Sequence, residues 1–532
     1  MLLPVITVLA LLVVTWFRWR QKKLSFFQDL GIPGPKPSFF FGNLREFQTK
    51  GAIKCQEEWI KKYGKICGFY YGRLPITIVA DLDLLKQIQI KDFQKFTGRP
   101  MFIPGGTQPS TEFSSQLTLQ RGEHWKEVRS LLTPTFSSSK MRQMTPIMQK
   151  AIGILMEKID EKAQTEEDFD IYEMYQELTT DVIGQTAFGI QTNVQQNPED
   201  PFLTNCRAIF NIQTSEFLIF LLMCFPELYN ILYPIRKLVD VIWHQIFSTP
   251  GRSLIEGVTK VIEERRKNPA LRRADLLQMM LDARMAREDI QNVTAKQLTA
   301  GEDEPTEDVS KDKKYGKKQM KFVTDTEIKA NSILFLLAGY ETTSTALGFT
   351  THILVNRQDV QERIREEIND VLGQDGVLDY NTVNELRYLD QVFSESLRVY
   401  PPVITFINRV ADEDCQLGDF KIPKDTAIQV PVWQLHHDPE IWSEPYEFKP
   451  ERFLPENKKD IHPMAYQPFG SGPRNCIGMR MAQLEAKLAL ARILRSYKLV
   501  PSEKTEIGEI QYNVKFLTIG PVHGIHVKVV PV

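Results

Sequence analysis

At 532 residues, with 42% hydrophobic and 25% charged side chains, the chain has an ordinary globular composition and enough length for a sizeable core. Its 65 Lys and Arg against 67 Asp and Glu give a formal net charge of −2, which argues against a nucleic-acid binder with its basic excess. Six scattered cysteines (Cys55, Cys67, Cys206, Cys224, Cys415, Cys476) form no C-x-x-C pair, which argues against a disulfide framework or zinc site and points to a reducing compartment.

From Leu2 to Phe17 the sequence is apolar apart from Thr7 and Thr15, and Arg18, Arg20, Lys22 and Lys23 follow at once. The run falls between a signal-peptide core and a comfortable membrane span of ~20 residues. A cleaved signal carries its positive charge before the apolar run and small residues after it. The order here is reversed and no A-x-A-like site follows. Residues 1–23 therefore predict an uncleaved anchor whose basic flank keeps the rest of the chain on the cytosolic side. The three prolines of Pro33-Gly34-Pro35-Lys36-Pro37 then make 24–38 a stiff extended connector.

Apolar spacing predicts a helix over Ile53–Tyr63, and Tyr70–Val79 reads as a small β-hairpin. Residues 101–122 are polar and Gly/Pro-rich, an irregular loop of a length that is usually functional or disordered. A helix from His124 to near Leu132 sets Trp125 and Arg129 on one face. Alone, the pair is either an Arg packed over a ring or a donor pair for an acidic group. Residues 141–290 carry helical i, i+3, i+4 spacing. Within them Phe217–Phe225 is apolar all round, either a buried core helix or a roof over an apolar pocket that dips into the membrane surface. The second is the expectation here. Residues 295–321 are rich in both charges and read as a mobile solvated loop.

Thr324-Asp325-Thr326-Glu327 fits a capping box opening a long apolar helix. Inside it lies Ala338-Gly339-Tyr340-Glu341-Thr342-Thr343-Ser344-Thr345, whose glycine and β-branched hydroxyls are poor mid-helix choices. The stretch is either close packing through small residues or a widened groove holding an acid and a hydroxyl. Glu395 and Arg398 sit three apart on a helix that Pro401-Pro402 ends. Val403–Phe406 is apolar and extended, followed by Arg409. His436-His437 point to opposite faces of an extended chain, which makes them poor co-ligands and leaves them structural. Gly520-Pro521 and the alternating valines of His526–Val532 suggest a closing hairpin.

Pro468-Phe469-Gly470-Ser471-Gly472-Pro473-Arg474-Asn475-Cys476-Ile477-Gly478 runs into a helical pattern from Met479 to Leu488. A helix N-terminus lowers a thiol pKa, and Gly472 and Gly478 let the backbone approach whatever the sulfur holds. On these residues alone Cys476 is an inert core thiol, a nucleophile or an axial metal ligand.

Phe469-x-x-Gly472-x-Arg474-x-Cys476-x-Gly478 resembles, position for position, the haem-thiolate loop of the cytochromes P-450. Ala338-Gly339-x-Glu341-Thr342-Thr343 is similar to that family's oxygen-activation motif, and Trp125-x-x-x-Arg129 to its propionate-binding helix. Glu395-x-x-Arg398 with Pro450-Glu451-Arg452-Phe453 resembles its Glu-Arg-Arg network, for which a structural role is implied. These motifs, the anchor and the proline hinge follow the family's order over the whole chain. Leu337–Ser344 and Trp125–Phe136 look most like the microsomal family-three steroid and xenobiotic group.

The resemblance implies a mainly α cytochrome P-450 fold: an N-terminal anchor, the hinge, and a large helical domain with a minor β region over 39–532. It implies haem b with Cys476 as axial thiolate and metal ligand, held among Arg474, Phe469, Trp125, Arg129 and Gly478. Arg409 is a further candidate propionate donor, although its segment is one residue longer than in related enzymes. Thr342 and Glu341 become the catalytic pair for oxygen activation and proton relay. The implied activity is insertion of one oxygen atom of O2 into a lipophilic substrate at the endoplasmic reticulum membrane. The implied partners are NADPH-cytochrome P-450 reductase, a b-type cytochrome and the lipid bilayer. Two rival readings are a peroxide-rearranging thiolate-haem enzyme and a non-catalytic haem or lipid carrier. The Glu341-Thr342 pair argues for monooxygenation.

Overall fold

Helices dominate the computed structural model, which describes residues 2–100, 114–190, 192–197, 199–210, 217–235, 238, 250–301, 320–373, 376–514 and 518–532. The first, α1 (Leu2–Leu24), carries the apolar N-terminal run and its basic flank in one rod. Its Leu3–Leu24 stretch is long and apolar enough to cross a membrane. Leu3 to Val14 show apolar side chains outward, as a lipid-facing helix does. Arg20 departs from the expected basic flank, because it is fully buried within the fold.

The proline-rich connector lies against a four-stranded sheet. The Pro33 carbonyl accepts from the Gly68 amide at 2.8 Å, so the prolines, which cannot donate, still contribute an acceptor. That sheet begins with the expected hairpin, β1 (Ile66–Tyr71) and β2 (Leu74–Val79), turning at Gly72 with φ +66°. It continues through β4 (Ala427–Gln429), parallel to β2, to β3 (Asn408–Val410), and Arg409 faces Ile428 across the last pair.

The remaining body is helical: α2 (Gly122–Leu132), α3 (Ser138–Thr165), α4 (Ile171–Ile183), α5 (Phe217–Cys224) and α6 (Pro250–Lys267) precede the central helix. That helix, α8 (Asp325–Asn356), has both halves of the expected capping box, Thr324 N to Glu327 Oε2 at 2.8 Å and Glu327 N to Thr324 Oγ1 at 3.2 Å. Nearly all of α8 is buried, because α4, α9 (Gln358–Leu372), α10 (Arg387–Val399) and α11 (Met479–Ser496) pack around it. One large apolar core runs through these helices, and a smaller one lies beneath the sheet.

Four expectations need correction. The charged tract is not a free loop throughout: α7 (Ala295–Leu298) is a capped turn, and Met320–Phe322 pairs as a strand with Arg284–Ala286. Residues 302–319 lie outside the described residues, as does 101–113 of the expected irregular loop. The C-terminus is not one hairpin. Ile519–Pro521 pairs with Tyr512–Val514, while β6 (His526–Pro531) pairs with β5 (Tyr497–Val500), because its alternating valines complete the core wall behind α11.

The third correction concerns α5. Ile219, Met223 and Cys224 pack with Leu44 in a satellite cluster beside the sheet, while Phe217 is 73% exposed. Among the described residues none of α5 lines the main cavity, so it does not roof it. Finally, His436 ends a short helix rather than an extended chain; its Nε2 accepts from the Gln467 amide at 2.9 Å, which satisfies it structurally.

Candidate functional site

Helices α2, α8, α10 and α11 and the 468–478 loop enclose one predominantly apolar cavity. Cys476 is on its wall. The loop is shaped by its own backbone: Cys476 N donates to Phe469 O at 2.8 Å and Asn475 N to Gly472 O at 2.9 Å. Gly472 has φ +69°, and a Cβ there would lie 2.0 Å from the Gln89 carbonyl oxygen. It serves the loop's packing against the helical turn Gln87–Lys91 rather than approach to the sulfur. Gly478, the N-cap of α11, does face the cavity, with only the Phe136 ring near a virtual Cβ.

The sulfur's surface opens to the cavity although protein surrounds it on every side. Burial pushes the Cys476 thiol pKa up, opposed by the Gly478 amide and by Arg129 and Arg99. The helix N-terminus thus helps the thiolate but does not outweigh desolvation, contrary to the simple expectation. A bound metal would supply the missing charge, since a coordinating thiol is deprotonated outright.

Four arginines gather at one side of the cavity. Arg474 stacks over Trp125 at 4.7 Å and donates to Thr118 O at 3.2 Å and to Gln120 O. Arg129 donates through Nε and Nη2 to Leu298 O at 3.1 and 3.0 Å. Arg409 donates to Asn408 O at 2.8 Å and Ser471 O at 3.3 Å. Arg99 donates to Arg474 O at 3.3 Å and lies over Phe406 at 4.4 Å.

Burial lowers every one of these guanidinium pKa values, Arg99 and Arg129 to about 10, Arg409 to about 9, and Arg474 well down. The mutual repulsion of Arg99, Arg409 and Arg129 adds to the burial at Arg474. The Nε groups of Arg99, Arg409 and Arg474 have no partner. Crowded, desolvated cations with orphan donors fit a polyanionic guest, and the two carboxylates of a haem match that requirement. Among the described residues no three His, Cys, Asp or Glu side chains gather as a metal site.

Of the residues singled out in the sequence, Cys476, Arg474, Phe469, Gly478, Trp125, Arg129 and Thr342 all line the cavity. Arg409 joins the arginine cluster without lining the cavity, and Glu341 does not line it either. Glu341 is 1% exposed and turned toward α4, where Tyr172 Oη donates to it at 3.3 Å and Gln176 Nε2 at 3.5 Å. Thr342 donates its hydroxyl to Ala338 O at 2.6 Å, one turn back along the helix. Val403 and Phe406, from the apolar extended segment, also line the cavity.

Behind the site Glu395 and Arg398 are both fully buried and joined by two bonds of 2.8 Å. Arg452 reaches Glu395 at 3.3 Å. Arg398 also donates to the carbonyls of His436, Pro445 and Glu447 at 2.8, 2.7 and 3.2 Å. The triad ties α10 to the chain leading into the cysteine loop.

Sequence reasoning missed Arg99 and Glu485. Nothing near Arg99 marks it. Glu485 left a signal, an acid on the otherwise apolar Met481–Leu488 face of α11. It is 3% exposed, lines the cavity, and its Oε1 has no partner. Burial alone drives its pKa well above the carboxylate range. The folded chain then keeps a proton that the unfolded chain releases above an ordinary pKa of ~4.3. Stability from this group is present below that pKa and declines as pH rises, by up to ~1.4 kcal/mol per pH unit. Glu485→Gln should therefore melt increasingly above the wild type as pH rises past the ordinary carboxylate range. Parallel melting profiles would show that Glu485 ionises in the folded state.

Comparison with known proteins agrees with this geometry. The sequence profile of the cytochrome P450 family matches residues 32–305 and 307–525. The chain is 34% identical to cytochrome P450 3A11 of Mus musculus over 501 residues, 94% of this chain and 91% of that one. It is 34% identical to cytochrome P450 3A7 of Homo sapiens over 516 residues, 97% and 94% of the two chains. It is 33% identical to cytochrome P450 3A6 of Oryctolagus cuniculus over 501 residues, 94% and 92%. A profile match over most of the length, on a helical fold whose one cavity-facing thiol sits among buried arginines, identifies the chain as a member of the cytochrome P450 family, similar to its family-three group.

Proposed function

We propose that this chain is a membrane-anchored, NADPH-dependent haem-thiolate monooxygenase of lipophilic small molecules. Its electrons come from NADPH-cytochrome P450 reductase, with a b-type cytochrome as a second donor, at the endoplasmic reticulum membrane. The observation that carries the reading is the meeting of Cys476, the arginine cluster and Thr342 on one apolar cavity. Residues 1–23 serve as anchor, 24–38 as the connector and 39–532 as the catalytic body.

Haem b, when bound, would supply an iron for dioxygen chemistry, and a cysteine thiolate holding that iron would favour O–O cleavage. The protein's own work is positional. Cys476 is the sole thiol on the cavity among the described residues, so it is the residue that would hold the iron of a bound haem. Arg474, Arg129 and Arg99 bind the carboxylates, with Arg409 completing the charge behind them. Apolar walls from Phe335, Phe406 and Leu397 exclude water and accept a lipophilic substrate. Thr342 places a hydroxyl oxygen on the cavity, while Glu341 sits one residue away, facing α4. Glu341 would reach that side through Tyr172 or after a rotamer change, and Thr342, whose own hydroxyl hydrogen goes to Ala338 O, would offer its oxygen as a hydrogen-bond acceptor on the cavity side.

The test is NADPH consumption by the purified chain with reductase and a lipophilic probe in a bilayer. Reductase-dependent oxygenated product supports the reading. A thiolate-haem spectrum without such product would favour peroxide rearrangement or haem carriage instead. Cys476→Ser should lose the red-shifted Soret band of the CO-reduced protein, and its retention would remove Cys476 from the iron.

A further inference from the structure

The short helix α7 sits at the edge of the charged tract, yet its carbonyl end reaches the centre of the site. Thr294 and Gln297 cap it from both directions, with Gln297 N to Thr294 Oγ1 at 3.3 Å and Thr294 N to Gln297 Oε1 at 2.9 Å. The turn delivers the Leu298 carbonyl to Arg129, which donates to it through Nε and Nη2. Two residues later Ala300 pairs with the Asn475 side chain. Ala300 N donates to Asn475 Oδ1 at 3.0 Å, and Asn475 Nδ2 donates to Ala300 O at 2.7 Å.

The same Asn475 oxygen accepts from Arg129 Nη2 at 3.0 Å. Arg129, Asn475 and Leu298 are 3%, 7% and 3% exposed, so these bonds are shielded from water. Gly301 has φ +90°, and a Cβ there would fall 2.2 Å from Met479 Cε, at the first residue of α11.

We propose that residues 294–301 act as a positioning strap for the cofactor site, clipping Arg129 of α2 and Asn475 of the cysteine loop into one hydrogen-bonded unit. The inference rests on the haem reading of the cavity. Two arguments support a role beyond filling space. The strap bonds use Nε and Nη2 of Arg129 and leave Nη1 for an anion, so Leu298 decides where that edge of the guanidinium points. Asn475 immediately precedes Cys476, so its two bonds to Ala300 fix the register of the ligand loop. A backbone carbonyl and a primary amide make a geometric clamp without adding charge to a cluster already repelling itself.

Two variants test this in the haem-loaded full chain. Asn475→Ala removes the clamp between strap, loop and Arg129. The double variant Thr294→Val/Gln297→Ala uncaps the turn and touches neither Arg129 nor the cavity. The readouts are the rate of haem transfer to apomyoglobin, the propionate bending bands in the resonance Raman spectrum, and the melting temperature. Losing a hydrogen bond to a charged group corresponds to roughly 10-fold, so Asn475→Ala should release haem ~10-fold faster and shift the propionate bands. The uncapped turn should act in the same direction by ~3-fold. Unchanged release and bands in the double variant, with or without a lower melting temperature, would reduce the strap to packing and overturn the proposal, even where Asn475→Ala fails to fold. A wild-type chain that takes up no haem would instead defeat the cofactor reading itself.

Discussion

Arg398→Ala should yield a chain that accumulates poorly and binds no haem. The substitution strands the Glu395 carboxylate, which has no exposed surface, with only Arg452 at 3.3 Å and the Lys449 amide at 2.9 Å for company. Removing one partner of a buried ion pair costs about 3–5 kcal/mol. Three carbonyls, those of His436, Pro445 and Glu447, lose their donor as well, at about 1–3 kcal/mol for each left dry. Against a total stability of about 5–15 kcal/mol the combined loss reaches the scale of the whole. The loss also falls where it matters, because those carbonyls belong to the chain that carries Arg452 and then the cysteine loop.

Arg452→Ala should be milder. Its side chain is 13% exposed, and its carbonyl acceptors Ser443 and Glu444 can turn to water. Yield of soluble protein and the fraction carrying haem, measured for both variants beside wild type, decide the matter. An Arg398→Ala protein with normal haem content and a melting temperature within a few degrees of wild type would show that the triad is not what holds this end of the fold.

The contrast between what the chain's sequence predicts and what the fold adds has a physical pattern. Local rules suffice wherever one segment determines its own geometry: the capping box at Thr324, the hairpin at Gly72, the α2 helix bearing Trp125 and Arg129. Long, specific spacings also suffice, since Phe469 to Gly478 marks the cavity loop by wording alone. What a linear reading leaves open is the face and the partner. Glu341 and Thr342 are neighbours in the motif, but a helix rotates by about 100° per residue, so one faces α4 and the other the cavity.

Arg99 has no motif because its role comes from three other arginines that reach the same place from distant segments. The charged tract shows the converse: composition describes its solvated character, yet two backbone carbonyls at its start, in Leu298 and Ala300, belong to the buried site. Composition counts side chains and is silent about carbonyls. Arg20 fails for the same reason as Arg99, in the other direction. A cation after an apolar run reads as a membrane-interface flank, and only the folded neighbours reveal an enclosed pocket for it.

Arg20→Ala carries the second large effect, and it should separate the anchor from α5 while leaving the haem site intact. Arg20 Nε donates to Phe39 O at 2.7 Å, Nη1 to Glu227 Oε1 at 2.9 Å, and Nη2 to Phe40 O and Cys224 O at 2.7 and 2.9 Å. One guanidinium thereby joins α1, the turn after the proline segment and the end of α5. Trp16 Nε1 reaches the same Glu227 oxygen at 3.2 Å, and Arg73 from the β1–β2 turn lies 3.6 Å from the other. Loss of Arg20 leaves a largely buried carboxylate and three carbonyls short of a donor, a cost of about 3–5 kcal/mol. None of these residues lines the cavity, so the cost is local to the latch.

In membranes, hydrogen exchange of residues 217–228 and of the Phe39–Phe40 turn should rise sharply in Arg20→Ala, with the CO-reduced spectrum unchanged. Arg20→Lys should recover little, because one ammonium with three donors cannot reach acceptors spread across a planar five-donor fork. Arg20→Ala with wild-type exchange over 217–228 would mean that the apolar contacts of Phe17 with Phe39 and of α5 with Leu44 hold the latch unaided. The strength of the effect follows from the surroundings: at a wet interface the same arginine would contribute ~0–1 kcal/mol, and its enclosure by four acceptors is what makes it decisive.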